Sequence, residues 1–189
     1  MSDPVLQPRQ PLDGFERKIG ELRVAELTGI ALVSIATPLG GETKLADAVA
    51  NAYKAQIPAV GQSTVADLDN TRFLGLQPGQ IIAMFTYEND RAVDTVEARL
   101  GDTGYYTDQS DAWVVLEISG PGTVMALERI CPIDLHPDAF PAGAATRTAM
   151  EHIGAVIIRT EDDSFLLMSA RSSARSFLDA VIASLENIQ

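Results

Sequence analysis

Short apolar runs bounded by glycine, proline or acidic residues alternate along this chain with segments whose apolar side chains recur every three or four positions. The first pattern reads as strands and the second as amphipathic helices. "LRVAEL" (22–27) and "IALVSIA" (30–36) are strands, and Gly29 between them predicts a tight hairpin. "ETKLADAVANAYKAQI" (42–57) is a helix with Leu45, Val49, Ala52 and Tyr53 on one face and Pro58 as its stop. "STVADLDN" (63–70) carries loop and cap residues. "TRFLGLQ" (71–77) and "QIIAMFTY" (80–87) are strands joined at Pro78-Gly79, followed by a helix over 89–100 that Gly101 ends.

The second half repeats this programme. It predicts strands at 105–109 and 112–119, a helix at 122–130, strands at 144–153, 154–160 and 164–170, and a closing helix at 173–188. "QIIAMFTYENDRAVDTVEARL" (80–100) lies over "SFLLMSARSSARSFLDAVIASL" (164–185), about 84 positions later. A repeat this long points to duplication inside one compact domain and not to a solenoid. The expected fold class is α+β: strand-pair and helix units, two ferredoxin-like halves at about 20–101 and 104–188, forming a sheet–helix sandwich with an extra strand in the second half. Residues 1–18, with Pro4, Pro8 and Pro11 and no periodicity, are expected to be an extended arm preceding a single domain over 19–189.

Composition narrows the function classes. A net charge of −12 over 189 residues repels phosphate backbones and anionic lipid, so neither nucleic acid nor a membrane surface is an expected partner. The single cysteine permits no internal disulfide, and no apolar run approaches the ~20 residues that span a bilayer. "MSDPVLQPRQPLDGFERK" has no apolar signal core, and the expected location is the cytoplasm.

Most of the candidate chemistry falls in "RICPIDLHPDAFPAGAATRTAM" (129–150), which holds Cys131 and His136. Cys131 follows a helix, at the negative end of its dipole, where a thiolate is disfavoured; a small buried side chain is the simpler reading. Two histidines and one cysteine, without HxH, HExxH or CxxC spacing, offer no metal set, and His152 reads as a structural residue at a strand end. "TPLGG" (37–41) and "SGPG" (119–122) lack the residues of a phosphate loop and read as ordinary turns. Arg171 and Arg175 sit one turn apart at the start of the last helix, an unfavourable dipole position that calls for anionic neighbours. Arg147 and Arg159 are available to pair with Asp134, Asp138 or Glu161.

"CPIDLHPDAFPAGAATRT" (131–148), with the strands and helix that follow and the pair Arg171-Ser172, resembles the gamma subunit of heterotetrameric sarcosine oxidase. The resemblance is clear over 105–186 and looser over 20–100. It departs after Arg171-Ser172, where a bulkier aromatic is expected. It implies a fold like the folate-binding domain of the glycine cleavage T-protein. It also implies a place beside alpha, beta and delta subunits that carry NAD, tetrahydrofolate, FAD, FMN and zinc and that oxidise sarcosine to glycine, hydrogen peroxide and methylene-tetrahydrofolate. No catalytic, cofactor or metal residue is implied for this chain. On this reading the prolines Pro132, Pro137 and Pro141 stiffen the connection, and Ile133, Leu135 and Phe140 anchor it. Asp134 and His136 tie it to backbone groups or to Arg147. Pro132, Asp134, His136, Pro137, Phe140, Arg147, Arg171 and Arg175 are the residues expected to shape the loop or touch a partner. The competing reading is a stand-alone folate or one-carbon binder without redox activity.

Overall fold

A computed structural model describes residues 9–188. It contains eleven strands and four α-helices: β1 (Glu16–Ile19), β2 (Leu22–Glu26), β3 (Ile30–Ala36), α1 (Glu42–Tyr53), β4 (Gln62–Val65), β5 (Arg72–Gln77), β6 (Gln80–Thr86), α2 (Ala92–Leu100), β7 (Tyr105–Asp108), β8 (Trp113–Ser119), α3 (Thr123–Glu128), β9 (Ala145–Met150), β10 (Ile153–Glu161), β11 (Ser164–Ala170) and α4 (Ala174–Glu186).

The strands make two antiparallel sheets, ordered β1-β2-β8-β11-β10-β9 and β4-β5-β6-β3-β7. Strand alternation gives each sheet two apolar faces. Leu32, Leu74, Ile82 and Met84 from the five-stranded sheet meet Val115, Val156, Ile158, Leu166 and Met168 from the six-stranded one. The opposite face of the five-stranded sheet, including Val33, Ile35 and Phe73, is covered by Leu45 and Val49 of α1 and Val96 of α2. That of the six-stranded sheet, including Leu116, Ile118 and Ile157, is covered by Ala126 and Leu127 of α3 and Phe177 and Val181 of α4. The result is four layers, helix–sheet–sheet–helix, where one sheet beneath helices was the sequence expectation.

The two halves interlock. The sheet order β7-β3-β6-β5-β4 matches β2-β8-β11-β10-β9 when the halves are exchanged, and each half lends its first strand to the other half's sheet. The hairpin expected at Gly29 is therefore absent. Leu27 N donates to Val115 O at 2.8 Å while Gly29 O accepts from Tyr87 N at 2.8 Å, so residues 27–29 carry the chain from one sheet to the other. The extra strand expected in the second half also disappears, because Gln62–Val65, read as part of a loop, is the edge strand β4 and matches β9.

Three further expectations change. Pro4 and Pro8 of the expected arm lie outside the described residues. From Pro11 the chain turns, Leu12 is buried, and the carboxylate of buried Glu26 accepts from Leu12 N at 3.0 Å and Gly14 N at 2.7 Å before β1 begins. The continuous strand pair over 144–160 is broken by a two-residue turn at Glu151 and His152, both left-handed (φ 46° and 69°). Such a turn matches the twist of a tight hairpin. Helix α1 stops at Tyr53, short of Pro58, because Lys54 adopts the left-handed conformation and returns its N–H to Ala50 O.

Two glycines are fixed by chain crossings. A side chain at Gly75 would lie under 3 Å from the Ala59 carbonyl that crosses β5, and one at Gly120 (φ +116°) would meet the Glu21 carbonyl.

Candidate functional site

The connection between α3 and β9 is built from short local turns and two buried anchors. Cys131 N closes on Leu127 O at 2.9 Å, ending the helical turn. His136 N donates to Asp134 Oδ1 at 2.9 Å, and Asp138 N donates to His136 Nδ1 at 3.3 Å. Ala139 N and Phe140 N both return to His136 O, at 2.9 and 2.8 Å. These bonds use the side chains of Asp134 and His136 to satisfy backbone donors that prolines prevent from forming regular structure. Leu135 and Phe140 are buried in the core beneath α3 and α4, and Ile133 packs partly against it.

What fixes the loop is Arg159, on β10. It is 1% exposed, and its guanidinium is committed to backbone carbonyls. Nη1 donates to Leu135 O and Phe140 O, both at 2.9 Å; Nε donates to Glu161 O at 3.3 Å; Nη2 donates to Asp162 O. The group lies over the Phe165 ring, 5.2 Å from its centre. Arg159 therefore ties the loop to the β10–β11 turn. It does not pair with Asp134, Asp138 or Glu161, as the sequence suggested. The signal for it was a lone cation inside the apolar run "GAVIIRT".

The end of the loop joins the two sheets. Gly143 N donates to Arg159 O at 2.8 Å, Ser63 N of β4 donates to Gly143 O at 2.6 Å, and Ala145 N donates to Gly61 O at 2.9 Å. Arg72 of β5 reinforces this seam by donating from Nη1 to Ser63 Oγ at 3.0 Å, and Ser63 Oγ donates in turn to Gly143 O at 3.1 Å.

The expected site residues do not form one constellation. Pro132, Asp134, His136 and Pro137 are exposed along the loop, whereas Phe140 is buried. Arg147 is exposed on β9 and makes no ion pair among the described residues, so it does not tie down Asp134 or His136. Arg171 and Arg175 lie past the far end of β11 from the Arg159 contacts. Their anionic neighbours belong to this chain: Asp111 at 3.2 Å from Arg171, and Asp13 at 3.8 Å from Arg175. Arg171 also donates to Arg9 O.

Burial of Cys131 pushes its thiol pKa up, against weaker lowering from the backbone of Ile133 and the side chain of Thr148. A thiol so placed stays protonated near neutral pH and is a poor nucleophile. Among the described residues no cluster of three or more His, Cys, Asp or Glu is placed to hold a metal. No helix among them is long and apolar enough to cross a membrane.

Residues 40–184 match the family model described as the sarcosine oxidase, gamma subunit family. A sarcosine oxidase subunit gamma from Corynebacterium sp. (strain P-1) is 32% identical over 133 residues; the match covers 70% of this chain and 64% of that protein's length. Its counterpart from Corynebacterium sp. (strain U-96) is 30% identical over 159 residues, covering 84% of this chain and 69% of that one. Among solved structures, a chain of the heterotetrameric sarcosine oxidase from Corynebacterium sp. U-96, in complex with pyrrole 2-carboxylate, superposes with a TM-score of 0.78 at 25% identity, covering 95% of each chain. The glycine cleavage system aminomethyltransferase T from Bartonella henselae shares the fold, with a TM-score of 0.60 at 17% identity over 83% of this chain and 44% of that one. The chain belongs to the sarcosine oxidase gamma subunit family.

Proposed function

We propose that this chain is the non-catalytic gamma subunit of a heterotetrameric sarcosine oxidase, contributing shape and assembly contacts to a complex whose alpha, beta and delta subunits hold FAD, FMN, NAD, tetrahydrofolate and zinc. The observation that carries this reading is the superposition over 95% of both chains with a subunit of such a complex. The loop geometry supports it. The side chains of Asp134 and His136 accept from local backbone donors, Leu135 and Phe140 point inward, and Arg159 locks the loop's path. What remains outside is a proline-stiffened ridge of Pro132, Asp134, His136 and Pro137. A rigid ridge loses little entropy on docking, which suits it to a protein partner.

The matching order of elements supports reading one domain of two repeats, and among the described residues it takes in Leu12 and β1 as well as 19–188. The complex would work in the cytoplasm on sarcosine, releasing glycine, hydrogen peroxide and the folate-bound one-carbon unit.

Co-expression with the other three subunits tests the role. Omitting this chain should leave an unstable or incomplete assembly, and supplying it should restore the four-subunit species on a sizing column. Three subunits that reach full activity and thermal stability without it would refute the proposal.

A further inference from the structure

One end of the layer between the sheets departs from the apolar pattern of the rest. The inward positions run Leu74 to Arg72 on β5, Met84 to Thr86 on β6, Val115 to Glu117 on β8, Ile158 to Thr160 on β10 and Leu166 to Ser164 on β11. On each strand the position after an apolar contact is polar, and all of these polar residues line one cleft of about 530 Å³. That size lies within the range of small-molecule sites, roughly 300–1,000 Å³.

Of the charged residues Arg72, Glu117 and Glu161 that line this cleft, only Glu117 has an ion-pair partner among the described residues. Glu117 is held by Arg23 at 2.6 Å, and Arg23 also binds Glu16 at 2.8 Å. Arg72 and Glu161 form no ion pair among the described residues, although both line the cleft. They stand on opposite walls, Arg72 on the five-stranded sheet and Glu161 at the end of β10 on the six-stranded one. Arg72 is half-buried, makes one hydrogen bond, to Ser63, and burial lowers its pKa. A guanidinium carries five N–H donors in a planar fork that matches a carboxylate. The backbone at Glu161 is held by Arg159 Nε at 3.3 Å, so the opposite wall is also fixed.

We propose that this cleft binds a small zwitterion, with Arg72 taking its carboxylate and Glu161 its ammonium group. A free anion would enter against the field of a chain with net charge −12, whereas a ligand of zero net charge enters without that penalty and neutralises both walls. Thr28 and Thr86 line the same cleft and add neutral hydrogen-bonding groups to it.

The test is a titration of the full chain, by calorimetry and by amide shifts in NMR, with glycine, β-alanine and 6-aminohexanoate as zwitterions of increasing span. Acetate and methylammonium serve as their separate halves. At least one zwitterion should bind about tenfold or more tighter than either half, with shifts centred on Thr28, Thr86, Thr160 and Ser164. Arg72→Gln should weaken that binding by roughly tenfold, Arg72→Lys by less, and Glu161→Gln should reduce the preference for the zwitterion over acetate. The melting temperature and amide spectrum of each variant report whether it is folded. The proposal is overturned if no zwitterion exceeds its halves, if acetate alone matches them, if shifts fall elsewhere, or if folded Arg72→Gln binds as tightly as the parent.

Discussion

Strands β5 and β10 occupy matching places in the two sheets, each second from an edge, and each carries one arginine. Their fates differ. Arg159 is fully buried on the helix side, with its donors spent on four carbonyls and its plane against Phe165. Arg72 is half-buried on the inter-sheet side, with one bond to Ser63. A buried cation with four of its five donors engaged acts as a fastener; one left largely unsatisfied beside a cleft is poised for a ligand. The same residue type on matching strands, at different positions and facing opposite sides, thus does structural work in one half and leaves chemistry available in the other.

The largest effect is expected from Arg159→Ala. It removes the donor from two buried carbonyls, at Leu135 and Phe140, and frees the loop from the β10–β11 turn. Stranded buried acceptors cost ~1–3 kcal/mol each, so denaturant unfolding should show a loss of about 4 kcal/mol. Arg159→Lys should lose about half as much, because an ammonium cannot reach all four carbonyls in a plane. A loss below ~1 kcal/mol for the alanine variant would mean that the loop holds its path without the fastener.

Phe140→Ala attacks the same loop from its apolar side. The ring is 6% exposed and packs into the core under α3 and α4. Its removal should cost about 3–4 kcal/mol by chemical denaturation. Because Arg159 bonds the carbonyl of the same residue, the double variant should lose less than the two single losses combined. Strict additivity would show that the ring and the guanidinium hold the loop independently.

Gly75→Ala probes the other half. The new methyl would crowd the Ala59 carbonyl, so the crossing segment must shift, at about 1–3 kcal/mol. The melting temperature should fall, and amide exchange should accelerate in β4 and β5 before it does in β10.

These contrasts also show what the sequence could and could not reveal. The interior strands were legible because both faces are covered, so runs such as "IALVSIA" and "SFLLMSA" are almost wholly apolar. The helices were legible from the spacing of Leu45 and Val49 and of Phe177, Val181 and Leu185. Edge strand β4 was not, because "QSTV" is polar and half-exposed and resembles a loop. The sheet that β2 joins was also hidden: local spacing cannot say whether Leu27–Gly29 closes a hairpin or crosses between layers. For the loop, the prolines and the anchors Leu135 and Phe140 were readable. Arg159 was visible as a lone cation in an apolar run, but its role was not, because two of its partners are carbonyls 19 and 24 residues away, and carbonyls have no sequence signature.

A smaller effect is expected at Asp69, which pairs with Arg99 on α2, itself lying 4.8 Å from the centre of the Tyr53 ring. Partial burial alone would raise the Asp69 pKa, but bonds from Thr71 and Arg99 outweigh it and hold the carboxyl below its usual value. A depressed folded pKa contributes stability above the unfolded pKa of about 3.9 and loses it as pH falls through the folded value. Asp69→Asn should therefore cost about 0.5–1 kcal/mol at neutral pH and flatten the acid limb of the stability profile below about pH 4. An unchanged acid limb would show that the pair contributes nothing to folding.

The smallest effect, and the one that sharpens the comparison most, is Arg72→Leu. If Arg72 were a fastener like Arg159, its loss would destabilise by several kcal/mol. Its single side-chain bond ends at Ser63, whose N–H and hydroxyl still reach Gly143 O, so the seam between the sheets survives without it. A leucine extends the inward face of β5 beyond Leu74 and removes a cation that burial disfavours. The expected change in unfolding free energy is about zero, within ~0.5 kcal/mol, with a gain as acceptable as a loss. A loss approaching that of Arg159→Ala would make the two arginines equivalent and remove the reason to assign Arg72 to a ligand. Near-neutral stability together with lost zwitterion binding would separate the two roles, because the same side chain would then matter to what the cleft holds and not to the fold.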